Sequence, residues 1–534
     1  SGGGEVTLNI RCDFDSKTGG LEVISSDLPI QLGETVVRSK ASLQDGDTIR
    51  IGESQYLSCD FGERIIEEQR NLISDLEVVD LRHSYDGRET ALDSMSISAR
   101  RGEMIGIIGP SGCGKSTLIR ALAGHQQPDG GRVLINGHSL YENLESLQPY
   151  ISYIPQEDAF DPLLTVEENI DCAAAIRCPH LSPAERRKRA DSRLSDLGLS
   201  ERRHRLAGDA QKKILSGGER KRLNAGLDMI SIAEIYLFDE PTSGLSSKDS
   251  EHVMEIIRGL SQNKITFVSI HQPSSRLFYM FQKVLLLDRG GRVAFYGPPE
   301  DMLAYFREAR AEGVPSSGEL EATLEQVPQQ ALQPDFIFDV LETPLRDLSG
   351  NIVYEEDHRG HFIPARRFLP DYWADRFQAH RLLKEVRESK LETQGSEEHV
   401  DKRPLPSPPK RGVEQVALHL ATHIKRAFLS KLRNRANLFT TLLEAPALAL
   451  LIATVLRYSE EGDYTFASAF HVPTYLFLSL VVALFLGLTN SADEVIRDRG
   501  MLARERGHGI RVWHYITGKF LALAVFALIQ SVIY

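Results

Sequence analysis

Nine consecutive residues, Gly109-Pro110-Ser111-Gly112-Cys113-Gly114-Lys115-Ser116-Thr117, most directly specify chemistry in this chain. They follow the pattern G-x-x-x-x-G-K-[ST]. Glycines there permit turns closed to other residues, so successive backbone N–H groups can converge on a phosphate. Lys115 is then placed to reach β- and γ-phosphates, and the Ser116 hydroxyl to bind Mg²⁺. An apolar run, Met104 to Ile108, precedes the loop, and a helix-like stretch, Leu118 to Ala123, follows it. Strand, loop and helix is the context the motif needs, and the helix start contributes free N–H groups and a positive dipole end. A purely structural glycine turn is the bland alternative, and the flanks disfavour it. The stretch is a nucleotide site.

Two further stretches carry complementary chemistry. Ile235-Tyr236-Leu237-Phe238-Asp239-Glu240 is an apolar strand that ends in two carboxylates. Such a strand delivers its C-terminal end beside the phosphate loop in an open α/β sheet. Asp239 is placed to hold Mg²⁺ and Glu240 to act as general base on the attacking water. Leu215-Ser216-Gly217-Gly218-Glu219-Arg220-Lys221-Arg222 is a Ser-Gly-Gly turn opening a helix, a second anion-binding helix start. A second such loop makes sense if it serves a nucleotide held by another copy.

In this order the motifs resemble those of the ATP-binding cassette (ABC) transporters, whose signature is the Ser216-Gly217-Gly218 loop. The resemblance runs from about Leu76 to Tyr534 and is strongest up to Pro298. It implies that Gln156, in Tyr153-Ile154-Pro155-Gln156, is a Mg²⁺ and water ligand that senses the membrane domain. It likewise implies that His271, in Ser269-Ile270-His271-Gln272-Pro273, contacts the γ-phosphate and that Tyr85 stacks on adenine. Ser246 stands where the family usually carries Asp. His271-Gln272-Pro273-Ser274, Gly290-Gly291-Arg292-Val293 and Phe295-Tyr296-Gly297-Pro298, with the ATPase ahead of the membrane part, look like the G-type half-transporters. In those, Asp493 to Arg499 and Leu502 to Arg506 would form a cytoplasmic loop pressing on the ATPase.

The elements that position these residues follow from length and pattern. At 534 residues the chain exceeds one hydrophobic core. Residues 1–61 alternate apolar and polar positions between turn signals and predict a small β unit, after a linker-like Ser1-Gly2-Gly3-Gly4. Leu43 to Gly52 resembles the closing strands of a forkhead-associated (FHA) domain, without the Ser-x-x-His element that reads phosphothreonine. Residues 76–310 alternate apolar strands with amphipathic helices and predict an α/β P-loop NTPase domain with a mainly parallel sheet. Residues 311–412 read as an irregular linker, with a polyproline tether at Pro404 to Pro409.

Residues 413–435 predict a basic amphipathic helix lying at a membrane face. Residues 436–534 carry three predicted transmembrane helices, roughly Leu438–Leu456, Thr474–Leu488 and Tyr515–Tyr534. Basic residues before the first and between the last two, and the acidic loop Glu460, Glu461 and Asp463, put the ATPase in the cytoplasm of a plasma or inner membrane. Three spans could hardly enclose a pathway, so this region reads as truncated. Glu444 lies inside the first span, where a carboxylate is a functional candidate.

Net charge of −12 argues against a nucleic-acid partner, and the cysteines lack metal-ligand spacing. No signal-peptide pattern opens the sequence. The resemblance implies an ATP- and Mg²⁺-dependent half-transporter that forms a homodimer or heterodimer and exports a hydrophobic or lipid-like substrate in contact with membrane lipid. A membrane-anchored ATPase regulator, recruiting phosphoprotein partners through the β unit, is the alternative; a soluble cassette of translation or DNA repair conflicts with the spans. Cys113, inside the phosphate loop, is expected to be an alkylation-sensitive thiol that ATP protects.

Overall fold

The computed structural model describes residues 6–533 except 14–15, 17, 27–28, 33–34, 45–46, 52–54, 62–64, 71–72, 86–88, 180, 209–213, 232, 312–333, 348, 357–361, 392–411, 457–470 and 508–509. The linker-like start, the polyproline stretch and the acidic loop predicted above lie outside the described residues. The chain divides into two compact units, one ending at Ser74 and one beginning at Asp75.

The N-terminal unit pairs a three-stranded antiparallel sheet with a five-stranded one. Alternation along each strand sends one face inward, and Leu21, Ile30, Leu43, Ile49, Cys59 and Phe61 are buried together. Gly19 lies so close to Phe61 that an added Cβ would sit 2.9 Å from its ring. The unit does not stop at Phe61 as predicted: Gln55–Asp60 pairs with a further strand, Ile65–Arg70, too polar to be noticed as one.

The second unit opens with two long antiparallel strands, β1 (Asp75–Tyr85) and β2 (Glu89–Arg100), followed by β3 (Met104–Ile108), helix α1 (Lys115–Leu122) and β4 (Gly130–Ile135). Then come β5 (Ile151–Ile154), α2 (Val166–Arg177), α3 (Pro183–Asp196), α4 (Gly217–Met229) and β6 (Ile235–Phe238). They are followed by α5 (Ser247–Ser261), β7 (Ile265–Ile270), β8 (Lys283–Asp288), β9 (Arg292–Gly297) and α6 (Pro299–Ala311). The main sheet runs β5-β6-β7-β3-β8-β9, parallel except for its β9 edge. Every residue of β3, β6 and β7 is buried, as continuous apolar strands covered on both faces must be. A second, antiparallel sheet holds β2, β1 and β4. This is the α/β P-loop NTPase fold expected.

The stretch 311–412 is not an irregular linker where it is described. Helices α7 (Asp335–Leu341) and α8 (Pro370–Leu391) flank a short hairpin, and Phe336, Ile337, Leu341 and Trp373 join the core of the NTPase domain. Trp373 is fully buried against Tyr305 and Phe306, and Arg366 pairs with the buried Asp288 at 2.6 Å. Helix α7 is only seven residues long, two of them Asp, too short a stretch for a helical period to stand out in the sequence.

Five helices complete the chain: α9 (Val413–Arg433), α10 (Arg435–Val455), α11 (His471–Arg497), α12 (Arg499–Gly507) and α13 (Val512–Ile533). Two of them, α10 and α13, are long and apolar enough to cross a bilayer. The apolar part of α11, Val472–Leu488, is shorter, so three full spans are not found among the described residues. Phe439, Leu450, Phe477, Leu484, Phe520 and Val532 are exposed, an apolar surface suited to lipid. Pro446 sits within α10, and Glu444, one turn or less away, is partly buried.

Helix α9 packs against protein through its basic side. Its basic residues are taken up by protein: Arg426 pairs with Glu505, Arg433 with Glu168, and Lys431 lies 3.8 Å from Glu494. The Arg433 hydrogen bond holds the Glu168 carboxyl down to about 2. Gly518 of α13 admits the helix closely, since a Cβ there would meet that of His423 at 2.8 Å. Amphipathic periodicity predicts that a helix has two faces; it does not say what covers them.

Candidate nucleotide site

The phosphate loop is shaped by what a side chain could not do there. Gly114 is the N-cap of α1 with φ of 100°, and a Cβ on it would lie 2.2 Å from the Ala91 carbonyl oxygen. Only glycine fits, and the tight turn aims the first N–H groups of α1 into the loop formed by Gly109, Pro110, Ser111, Gly112 and Cys113. Lys115 is buried and folds back over this loop, its Nζ donating to the carbonyls of Gly109 at 2.8 Å and Pro110 at 2.9 Å. A bound phosphate would compete for that ammonium with these two neutral acceptors, a favourable exchange for a cation.

The carboxylates at the end of β6 come to the loop as expected. Ser116 Oγ donates to Asp239 Oδ1 at 3.0 Å. Tyr153 O–H approaches the other carboxylate oxygen at 3.4 Å. Gln156 Nε2 donates to Glu240 Oε2 at 2.7 Å. Ser116 and Asp239 thus bring hard oxygen atoms together, donors of the kind that suit Mg²⁺. Glu240 occupies the left-handed region with φ of 47°, a conformation that costs a non-glycine residue about 1–3 kcal/mol. The strained residue directly follows Asp239 at the end of a buried strand.

Tyr85 ends β1 beside the exit of the loop, its hydroxyl 3.1 Å from Thr117 Oγ1 and 3.3 Å from Gln126 Oε1. His83 meets it edge to face at 5.1 Å between ring centroids, and His83 Nε2 lies 2.6 Å from Gln126 Nε2. Tyr85 is 39% exposed. His271 follows the last residue of β7 and is exposed.

The signature loop stands apart from these groups. Ser216 and Gly217 are exposed, and the Ser216 side chain caps α4 by accepting from Glu219 N at 3.2 Å. Gly218 is buried, and a Cβ on it would lie 2.6 Å from Asp249 Oδ1. Ser246, the departure from the family pattern, caps α5 and donates to Asp249 Oδ2 at 2.8 Å. A carboxylate is therefore retained near the signature, moved three residues along.

Cys113 corrects an expectation. Its thiol is 1% exposed, and burial pushes it up to about 11. At neutral pH iodoacetamide should label it more than about a hundredfold more slowly than a free thiol of pKa about 8.5. Peptide mass spectrometry over a time course measures this directly, and rapid labelling of native protein would mean the loop opens.

Sequence reasoning named the stretch 502–506 as pressing on this domain but missed the residues that receive it. Arg504 of α12 is 2% exposed at its side chain and reaches α4, donating to Asn224 Oδ1 and Asp228 Oδ2, both at 2.7 Å. It also donates to the Ala159 carbonyl at 3.2 Å, three residues beyond Gln156. Asp228 is fully buried and pairs on its other side with Arg177 at 2.5 Å. A charge at a loop position and an Asn-x-x-x-Asp spacing on a helix were readable, but nothing in either names the other. Residues 502–506 do press on the NTPase domain, as the resemblance implied.

The fold, the glycine loop and the paired carboxylates define a P-loop nucleotide-binding protein. Residues 92–243 match the ABC transporter family, and residues 419–534 and 271–355 match two ABC-2 type transporter families. Relatives include ABC transporter G family member 5 of Oryza sativa subsp. japonica, 39% identical over 41% of this chain and 28% of that protein. ABC transporter G family member 17 of Arabidopsis thaliana is 37% identical over 42% of this chain and 34% of its own length. An ABC transporter ATP-binding/permease protein of Mycobacterium tuberculosis is 34% identical over 48% of this chain and 30% of its own. The matched stretch thus spans about a third of each relative. The chain thus carries a domain similar to the ABC transporter ATP-binding domain, followed by one similar to the ABC-2 type membrane domain, and the relatives it resembles include G-family members.

Proposed function

We propose that this chain is one half of an ATP-driven exporter that pairs with a second half, identical or different, and moves a hydrophobic or amphiphilic molecule across a membrane. The observation that carries the reading is the meeting of Ser116 with Asp239 and of Gln156 with Glu240 at the phosphate loop. Lys115, Ser116, Thr117 and the backbone of Gly109 to Gly114 hold the phosphates, and Tyr85 packs against the base. Ser116, Asp239 and Gln156 hold Mg²⁺, which when bound neutralises phosphate charge. Glu240 takes the proton of the attacking water, and His271 contacts the γ-phosphate. The exposed Ser216-Gly217-Gly218 loop is presented to the nucleotide of the partner cassette.

The ABC-2 match and the exposed apolar helices support a multi-pass protein with the cassette on the cytoplasmic side of a plasma or inner membrane. The reading as a phosphoprotein-recruiting regulator is not favoured, because the matches are to ATP-binding and membrane domains of transporters.

Lys115→Ala should weaken ATP-analogue binding by about 10- to 100-fold, the loss of a charge-assisted contact to phosphate. Fluorescent-nucleotide titration of the full chain in detergent measures it, and undiminished affinity would remove the loop from the binding site. A screen for hydrophobic ligands that stimulate the ATPase in lipid tests the transport part, and stimulation should disappear in the same variant.

A further inference from the structure

Ser269 lies on β7, the strand between the one that carries Asp239 and the one that leads into the phosphate loop. It is fully buried and stands two residues before His271. Its hydroxyl donates to Asp239 Oδ1 at 2.9 Å and accepts the backbone N–H of Glu240, also at 2.9 Å. The same Asp239 oxygen receives Ser116 Oγ at 3.0 Å. One hydroxyl therefore grips both members of the carboxylate pair, one by its side chain and the other by its backbone.

The grip falls on the strained peptide. Glu240 holds φ of 47°, and the neighbouring Asp239 N–H is itself tied to the Ile154 carbonyl at 2.9 Å. A left-handed non-glycine residue persists only where its surroundings over-determine it. Ser269 supplies the side-chain acceptor for the Glu240 N–H, and in doing so sets where the Glu240 side chain departs from the sheet. Gln156 then fixes the other end of that side chain at 2.7 Å. A hydroxyl suits this post because it donates and accepts at once; alanine does neither, and cysteine does both poorly.

We propose that Ser269 is a positioning residue for ATP hydrolysis: its hydroxyl locks the Asp239–Glu240 turn so that the base is aimed at the phosphate side while Asp239 is oriented toward Ser116. The proposal rests on the reading of Glu240 as general base. Ser269 acts through the two carboxylates.

The test is steady-state ATPase and nucleotide titration on the full chain in lipid, comparing wild type with Ser269→Ala, Ser269→Thr, Ser269→Cys and Glu240→Gln. Ser269→Ala should lower turnover by roughly 10- to 100-fold, the usual result of a slightly misplaced catalytic group. ATP-analogue affinity should stay within about twofold, the split expected when only a transition-state interaction is lost. Ser269→Thr, which keeps the hydroxyl, should recover most of the turnover, and Ser269→Cys should behave like alanine. Thermal melting identifies any variant that fails to fold, and the threonine and cysteine variants then carry the comparison.

Wild-type turnover in Ser269→Ala, or cysteine as active as threonine, overturns the proposal while leaving the general-base reading intact. Turnover in Glu240→Gln equal to wild type, or no turnover in wild type, overturns both.

Discussion

Replacing Glu240 by Gln should abolish steady-state ATP hydrolysis while leaving nucleotide affinity intact. The amide keeps the size of the side chain and can retain a hydrogen bond to Gln156, now 2.7 Å from the carboxylate. It cannot take a proton, and general-base catalysis is typically worth about 10²–10⁴-fold in rate. ATP should then accumulate unhydrolysed between two cassettes, holding a dimer that the wild type releases. Turnover is read by phosphate release and assembly by size-exclusion chromatography with and without ATP. Hydrolysis at the wild-type rate would transfer the base role to another group.

The second large effect is expected at Arg504. Its guanidinium is buried among Asp228, Asn224 and the Ala159 carbonyl, and Asp228 is fully buried with it. Removing one partner of a buried ion pair typically costs about 3–5 kcal/mol, because the remaining charge is stranded in low dielectric. Here Arg177 still pairs with Asp228, so the loss should fall at the lower end and concentrate at this contact rather than unfold the cassette. Arg504 holds α4, whose N-terminus is the signature loop, and also the segment just beyond Gln156. Arg504→Ala should therefore keep basal ATPase but lose its stimulation by transported ligand. Arg504→Lys should fall short of rescue, since an ammonium cannot reproduce the fork that bonds Asn224 and Asp228 together. Equal stimulation in Arg504→Ala and wild type would show that coupling travels elsewhere, and a double-mutant cycle with Asp228→Asn measures what the pair contributes.

The chemistry of the site was legible in the sequence because it depends on residue types at short, fixed spacings. Gly114 before Lys115 and Ser116 is such a case: φ of 100° and the nearby Ala91 carbonyl leave no alternative residue. Asp239 and Glu240 at the end of an all-apolar strand are another, since a strand buried on both faces can place carboxylates only at its end. The long amphipathic helices and apolar segments were legible for the same reason, the shortness of the middle apolar segment included. Reading failed where pattern was weak. The edge strand Ile65–Arg70 is mostly polar, and α7 is only seven residues long.

By itself, the sequence determined the nucleotide-binding class, the order of cassette and membrane helices, and the phosphate-loop and carboxylate motifs. Each is encoded locally, in turns, periodicities and runs of hydrophobicity. Only the tertiary structure decided that α9 spends its basic face on Glu168 and Glu505, that Trp373 closes the cassette core, and that Cys113 is buried. It alone brought Ser269 under the Asp239–Glu240 turn, and Arg504 onto α4 from a position 276 residues away from Asp228. Those contacts join residues far apart in sequence. The physical reason is that burying a charge or a strained turn demands a partner, and a linear chain does not state which distant residue will supply it.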